Sequence, residues 1–253
     1  MNKKYCVVLL TNDAYFDKML MTLSQLFSVG YEEDVCIVIG DDLKDSEKLN
    51  NVLLNNDKLV VQHFKDLQFS SEFIEIFNTM KRDEKWISKM FQYHKLYLFH
   101  PFFKKWDYIM YIDSGVNILN PIKPILECAV PDRVLAHSDS YPNYNWKMSI
   151  QFDGVNPNFL KYSEKVDFEV DYPQTTILLY DTNIINDDTF KTLHELSEEL
   201  KCSKTNDQGI IALYLVMNGL WQQIPLGDEN FWYYDYELRS NKTNKPHIML
   251  KNI

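Results

Sequence analysis

One acid interrupts an apolar run in this chain. Residues Asp107-Tyr108-Ile109-Met110-Tyr111-Ile112-Asp113-Ser114-Gly115-Val116-Asn117-Ile118-Leu119 set Asp113 directly after four large apolar or aromatic side chains, and Gly115 follows two residues on. Such a run reads as a strand buried on both faces, as in a parallel sheet. Open α/β sheets bind ligands at the carboxyl ends of their strands. A carboxylate there can hold a metal bound to a nucleotide diphosphate. The plainer reading is a polar residue that ends a strand, with Gly115 supplying the turn. A second chemical feature lies at the far end. Arg239, Lys242, Lys245 and Lys251 occur with no acid among them from residue 239 to 253, a basic end that could face an anion or lie solvated.

The elements that must position these groups alternate. Residues 5–10 read as a buried strand. Residues 15–27 follow with helical spacing, Phe16, Met19, Leu20, Leu23 and Phe27 falling near one face. Strands are expected at 35–39 and 58–63, with a helix at 46–54 capped by Asp45 or Ser46. A helix is expected over 85–99, with Ile87, Met90, Phe91, His94 and Leu98 on one side and Pro101 closing it. This β-α-β-α-β order indicates an α/β fold with a Rossmann-like, mostly parallel sheet. The second half yields strands at 133–137, 176–180, 221–224 and 246–250, helices at 188–200 and 207–217, and a polar, aromatic loop at 138–158.

Composition narrows the function classes. The chain has 253 residues, 45% of them hydrophobic, enough for one substantial core, and seven glycines leave little room for a flexible linker. A single domain is expected. Aromatic residues (16 Tyr, 15 Phe, 5 Trp) suffice to pack that core and to leave platforms for sugar stacking. A net charge of −10 without a basic stripe argues against nucleic acid as a partner. Cys6, Cys36, Cys128 and Cys202 are not spaced as metal pairs, and the first two fall in apolar strands. They read as small buried hydrophobes in a reducing, cytoplasmic setting. Only six apolar residues follow Lys3 and Lys4, so no signal peptide is expected, and no transmembrane segment.

Five motifs in order resemble the glycogenin-like family 8 glycosyltransferases. Val7-Val8-Leu9-Leu10-Thr11-Asn12-Asp13-Ala14-Tyr15 is similar to their first strand and T-N-D-A-Y turn. Tyr93-His94-Lys95-Leu96 followed by Lys105 to Asp113 resembles the stretch that ends in their D-x-D. Pro121 to Leu126, Tyr172 to Tyr180 and Asn206-Asp207-Gln208-Gly209-Ile210-Ile211 fall where three further motifs are found. The resemblance spans nearly the whole chain. It implies a GT-A fold and retaining transfer of a hexose or related sugar from a UDP-sugar to a hydroxyl of a glycan, protein or small molecule. Residues 1–120 would form the nucleotide-binding half and 121–253 the sugar- and acceptor-binding half. A second copy of the chain, as a homodimer, is among the partners considered.

The resemblance also implies roles, position by position. Leu9, Thr11, Asn12 and Tyr15 would cradle the uracil and ribose. Lys95 and Lys251 would approach the donor phosphates or sugar, and Gln174 would line the donor site. Asp113 would bind the metal or ribose. Asp207 and Gln208 would face the donor sugar, and the acid would stabilise the oxocarbenium-like charge or bind the sugar hydroxyls. Each has a plainer alternative: Asn12 and Asp207 as helix caps, Lys95 as a solvated helix lysine.

Three departures weaken the carry-over. The D-x-D is Asp113-Ser114-Gly115, the family's Asn-Ser-Gly is Gln174-Thr175-Thr176, and strand alignment puts Leu250 where a metal-ligand histidine belongs. His247 could replace it only if the alignment slips, because side chains three apart on a strand face opposite ways. The expectation is therefore a weakly held Mn²⁺ on Asp113, diphosphate oxygens, water and the Ser114 hydroxyl, with the basic end as the alternative source of charge. Two other functions stay open: a catalytically degenerate binding or scaffold protein, and nucleotidyl transfer. Against the second, Thr11-Asn12-Asp13-Ala14 holds no glycine where a triphosphate loop would need it.

Overall fold

The structure, a computed structural model, describes residues 3–53, 57–80, 90–139, 146–201, 203–224, 232–234 and 248–250. Its strands are β1 Tyr5–Thr11, β2 Asp34–Ile39, β3 Leu59–His63, β4 Tyr108–Ile112, β5 Asn117–Ile118, β6 Val134–Ala136, β7 Ile177–Asp181, β8 Trp221–Gln223, β9 Trp232–Tyr234 and β10 Ile248–Leu250. Its α-helices are α1 Phe16–Ser28, α2 Glu47–Leu53, α3 Ser71–Thr79, α4 Lys123–Leu126, α5 Pro157–Ser163, α6 Thr189–Glu199 and α7 Asp207–Met217.

Seven strands form the central sheet in the order β3-β2-β1-β4-β7-β6-β8. β7 runs antiparallel to both of its neighbours, β4 and β6, and the remaining pairs are parallel. The carboxyl ends of β1, β2, β4 and β6 therefore share one edge, and the amino end of β7 meets them there. A smaller sheet, β5-β10-β9, stands apart in pairing.

Alternation along the strands divides the core into two layers. Cys6, Val8, Leu10, Ile109, Tyr111, Leu178 and Tyr180 face α3, α6 and α7. Val7, Leu9, Met110, Ile112, Ile177 and Leu179 face α1 and α4. Both faces of β4 are buried, as its unbroken apolar run requires. Cys6 and Cys36 are free and fully buried, and burial pushes both thiols up, so they act as small hydrophobes.

Two expectations need correction. Residues 90–99 form a ten-residue 3₁₀ helix rather than an α-helix with one apolar side. Every residue from Tyr93 to Phe99 is buried. Tyr93 meets Phe69, Phe73 and Phe77, while Tyr97 stacks on Phe64 at 4.3 Å and on Phe190 at 4.5 Å. With contacts on all sides there is no solvent face for an amphipathic period to mark, and long 3₁₀ runs depend on such tertiary packing. Ile87 lies outside the described residues. The loop expected over 138–158 is partly ordered structure: Met148–Gln151 is a 3₁₀ turn, Phe152 bridges to Ser203, and α5 begins at Pro157 behind the cap Asn156. Its buried anchors Met148, Gln151 and Phe152 carry no periodicity that a sequence could display.

Candidate active site

The shared edge of the sheet gathers the candidates. β4 ends at Asp113, whose amide is held by the Thr176 carbonyl at 2.9 Å, so the start of β7 fixes it in place. The Tyr111 hydroxyl, two residues back on the same face, donates to Asp113 Oδ1. Burial pushes the Tyr111 phenol well up, and the Asp113 charge beside it adds to the effect. It is therefore a fixed donor at neutral pH.

Lys95 is the centre of the arrangement. Its Nζ lies 3.2 Å from Asp113 Oδ1 and 3.1 Å from Asp207 Oδ2, with the Thr175 hydroxyl and carbonyl each at 3.5 Å. The side chain is only 7% exposed, so this is no solvated helix lysine. Burial works against its charge, but Asp113 and Asp207 outweigh it, and its pKa is raised. Asp207 is 2% exposed. Burial lifts its pKa; Lys95 opposes that and the nearby Asp113 charge adds to it. The Thr175 hydroxyl donates to the same Asp207 oxygen as Lys95, at 3.3 Å.

Asp207 opens α7, but Asn206 is the cap residue and its side chain makes no capping bond. Asn206 adopts φ 57° and ψ −119°, a conformation that favours glycine. Strain of this kind costs on the order of 1–3 kcal/mol and persists where the surroundings enforce it. The Ser203 hydroxyl grips the Asn206 carbonyl at 2.7 Å, and Asn206 Nδ2 donates to Gln92 Oε1. Gln92 and Lys95 are three apart on a 3₁₀ helix and so lie on one side. They form two adjacent rungs, Gln92 to Asn206 and Lys95 to Asp207.

The turn after β1 is organised separately. Thr11 is fully buried and donates to the Asn12 carbonyl at 3.0 Å. Asn12 caps the following turn, its Oδ1 accepting from the Tyr15 amide at 3.2 Å. Asp42, just past β2, accepts from the Asp13 amide at 2.9 Å. Leu9 lies inside β1 with its side chain in the core between Ile37 and Ile112. Gln174 reaches the same edge, its amide on the His137 carbonyl at 2.8 Å. His247, Lys251 and the basic residues Arg239, Lys242 and Lys245 lie outside the described residues.

Sequence reasoning missed several groups. Asp139 emerges past the carboxyl end of β6, on the same edge as Asp113, and accepts from the Tyr172 hydroxyl at 2.7 Å and from Gln208 Nε2 at 3.4 Å. The rule that selects Asp113, an acid just past a parallel strand, would have selected it too. Gln151, Tyr172 and Thr175 carried no such signal.

The chemistry around Asp113 bears on a metal. Ser114 donates its hydroxyl to the Leu10 carbonyl at 2.6 Å. Gly115 has φ 97°, with its amide on Thr22 Oγ1 at 3.0 Å. An aspartate at that position would be strained, so glycine in place of the second acid agrees with the backbone. Among the described residues no three His, Cys, Asp or Glu side chains converge to hold a cation. These residues do not suit a metal held by the protein alone. They do suit one delivered with a diphosphate, because Asp113 is one-third exposed and Lys95 is already shared by two acids.

The fold is that of the GT-A glycosyltransferases, and solved structures match it along nearly the whole chain. The galactosyltransferase LgtC, solved in complex with donor and acceptor sugar analogs, superposes with a TM-score of 0.66 at 14% identity, covering 98% of this chain and 87% of that one. Mouse xyloside xylosyltransferase 1 does so with a TM-score of 0.56 at 12% identity, covering 98% of each chain. The bifunctional glycosyltransferase WbbM matches all of this chain and 46% of its own, with a TM-score of 0.60 at 16% identity. No protein-family model matches the sequence, and no curated protein does. Among the described residues, no helix is long and apolar enough to cross a membrane.

Proposed function

We propose that this protein is a retaining glycosyltransferase that moves a hexose or related sugar from a UDP-sugar to an acceptor hydroxyl. The observation that carries the reading is Lys95 bridging Asp113 and Asp207 at the carboxyl edge of a GT-A sheet. That edge is where ligands bind in open α/β sheets, and the turn Thr11 to Tyr15 lies on it. The half of the chain up to residue 120 is assigned to the nucleotide and the rest to sugar and acceptor.

In this mechanism the bond between the anomeric carbon and the diphosphate oxygen breaks as the acceptor oxygen attacks from the same face. The acceptor's proton passes to the departing diphosphate. Asp113 and Asp207 are both committed to one ammonium, so neither stands free as the nucleophile of a double displacement. Asp207 stabilises positive charge at the anomeric carbon, and its buried surroundings keep that interaction strong. Lys95 holds both acids in place and keeps their mutual repulsion low.

Charge counting supports a cation that arrives with the donor. Lys95 against Asp113 and Asp207 leaves this cluster net negative before a diphosphate enters. Mn²⁺ bound to the diphosphate would rest on Asp113, with the Ser114 hydroxyl beside it, and would supply charge neutralisation for the leaving group. Mn²⁺ is expected to tighten UDP binding by about tenfold or more, with EDTA reversing the effect and Asp113→Asn abolishing it. Isothermal calorimetry reads all three. UDP binding indifferent to Mn²⁺ would transfer the role to Arg239, Lys242, Lys245 and Lys251.

The base preference is tested in the same instrument. UDP is expected to bind about tenfold or more tighter than CDP or GDP, because the turn after β1 offers fixed backbone groups and the Tyr15 ring. Equal affinity for the three, or none, would remove the uridine assignment. UDP binding without turnover of any UDP-sugar would favour the scaffold reading, to which Gly115 in place of an acid lends some weight.

A further inference from the structure

Gln208 is turned by a ring of hydrogen bonds that is buried on the side of Gln151 and Tyr172. Its Nε2 donates to Asp139 Oδ2 at 3.4 Å and to Gln151 Oε1 at 3.3 Å. A carboxamide nitrogen has two protons, and both are engaged. Asp139 Oδ2 also accepts from the Tyr172 hydroxyl at 2.7 Å, and Tyr172 accepts from Gln151 Nε2 at 2.9 Å. The circuit Gln208, Asp139, Tyr172, Gln151 and back to Gln208 is closed. Thr205 pins Gln151 from outside by donating to its Oε1. Gln151 is 3% exposed and Tyr172 fully buried, so the bond between them is shielded from water. Gln208 itself is partly exposed, and its carbonyl oxygen is the one end of the amide outside the circuit.

We propose that Gln151 and Tyr172 are positioning residues that fix the Gln208 amide with its carbonyl oxygen outward, beside Asp207, as a second electron-rich group for the sugar's developing positive charge. This rests on the glycosyl-transfer reading. An amide free to rotate would present its N–H₂ to that charge half of the time, which is repulsive. The donor–acceptor pattern of the ring excludes that rotamer: an outward N–H₂ would set the amide oxygen against Asp139 Oδ2 and Gln151 Oε1, two acceptors. Asp139 has its carboxyl raised by burial, with the Tyr172 hydroxyl, the nearby His137 and the Gln208 amide pulling it down. Removing the Tyr172 hydroxyl therefore raises it further.

The test is a double-mutant cycle on release of UDP from UDP-glucose, UDP-galactose, UDP-xylose and UDP-N-acetylglucosamine. Tyr172→Phe and Gln151→Met are each expected to lower kcat by about 10-fold or more, with KM and UDP affinity within about threefold. In a Gln208→Ala background neither is expected to lower it further, since the group they orient is gone. Tyr172→Phe is also expected to move the acid limb of the pH profile upward. Effects that persist undiminished on top of Gln208→Ala, or single variants with wild-type kcat, would overturn the proposal while leaving glycosyl transfer intact. A wild-type protein that binds UDP yet releases none from any of the four donors would overturn the function and, with it, this inference. Tyr172→Phe removes one oxygen only, and its circular dichroism and urea midpoint report whether the fold is kept.

Discussion

Lys95→Met is expected to lower UDP-sugar turnover by about 1000-fold and to cost about 3–5 kcal/mol of folding stability, the largest effect of any single change in the site. The stability term follows from burial. Asp207 lies almost entirely inside the protein, and Lys95 is the cation it meets. Methionine fills much the same volume, so the loss reports charge rather than a cavity. Urea denaturation at several pH values measures it. The raised pKa of Lys95 means that its contribution is fully present at neutral pH and is lost only as pH rises through that raised value on the alkaline side. In the variant Asp207 is left with its burial and the charge of Asp113, and both favour its protonated form. A carboxylate raised in the folded state stabilises below its folded pKa and loses that contribution as pH rises. The stability gap between variant and wild type should therefore narrow as pH falls toward 5. A gap under about 1 kcal/mol at pH 7 would mean that Lys95 makes only a surface-grade ion pair.

Asp207→Asn is expected to lower kcat by about 100-fold or more while changing UDP affinity by less than about threefold. The substitution keeps the shape and the Thr175 hydrogen bond but removes the charge proposed to meet the anomeric carbon's positive charge, which develops only in the transition state. Asn206, not Asp207, occupies the helix-cap position, so a capping role does not account for the acid. Steady-state kinetics beside calorimetry separates the two quantities. A variant with near-normal kcat would reduce Asp207 to a structural partner of Lys95.

The sequence made Asp113 legible because a buried strand that stops at an acid has few other uses for it. The first three strands and both long helices of the second half, α6 and α7, were equally legible, although only α6 shows a clean amphipathic period and α7, read as amphipathic, is buried from Gly209 to Leu215. Lys95 was legible as a position but not as a geometry. Nothing in the local pattern indicates that the segment around it is a 3₁₀ helix buried on all sides, or that its ammonium bridges Asp113 and Asp207. Those facts come from the packing of three elements distant in sequence. The circuit around Gln208 was hidden for the same reason. Asp139 and Gln151 lie in a polar segment whose composition reads as loop, and only the pairing of β6 with β7 and the turn at Met148–Gln151 bring them to Tyr172. The antiparallel course of β7 was also invisible in its sequence, because a strand buried on both faces reads alike in either direction. That reversal is what brings Gln174 and Thr175 to the functional edge at all.

Proton NMR of the first product reports whether sugar leaves a UDP donor with retention. The protein would be incubated with the four α-linked UDP-sugars above, water serving as acceptor, and the anomeric signals followed before mutarotation scrambles them. UDP is expected to be released from at least one donor, with the α-anomer of the free sugar formed first. The β-anomer appearing first would contradict the same-face mechanism, and no UDP released from any donor would contradict transfer itself.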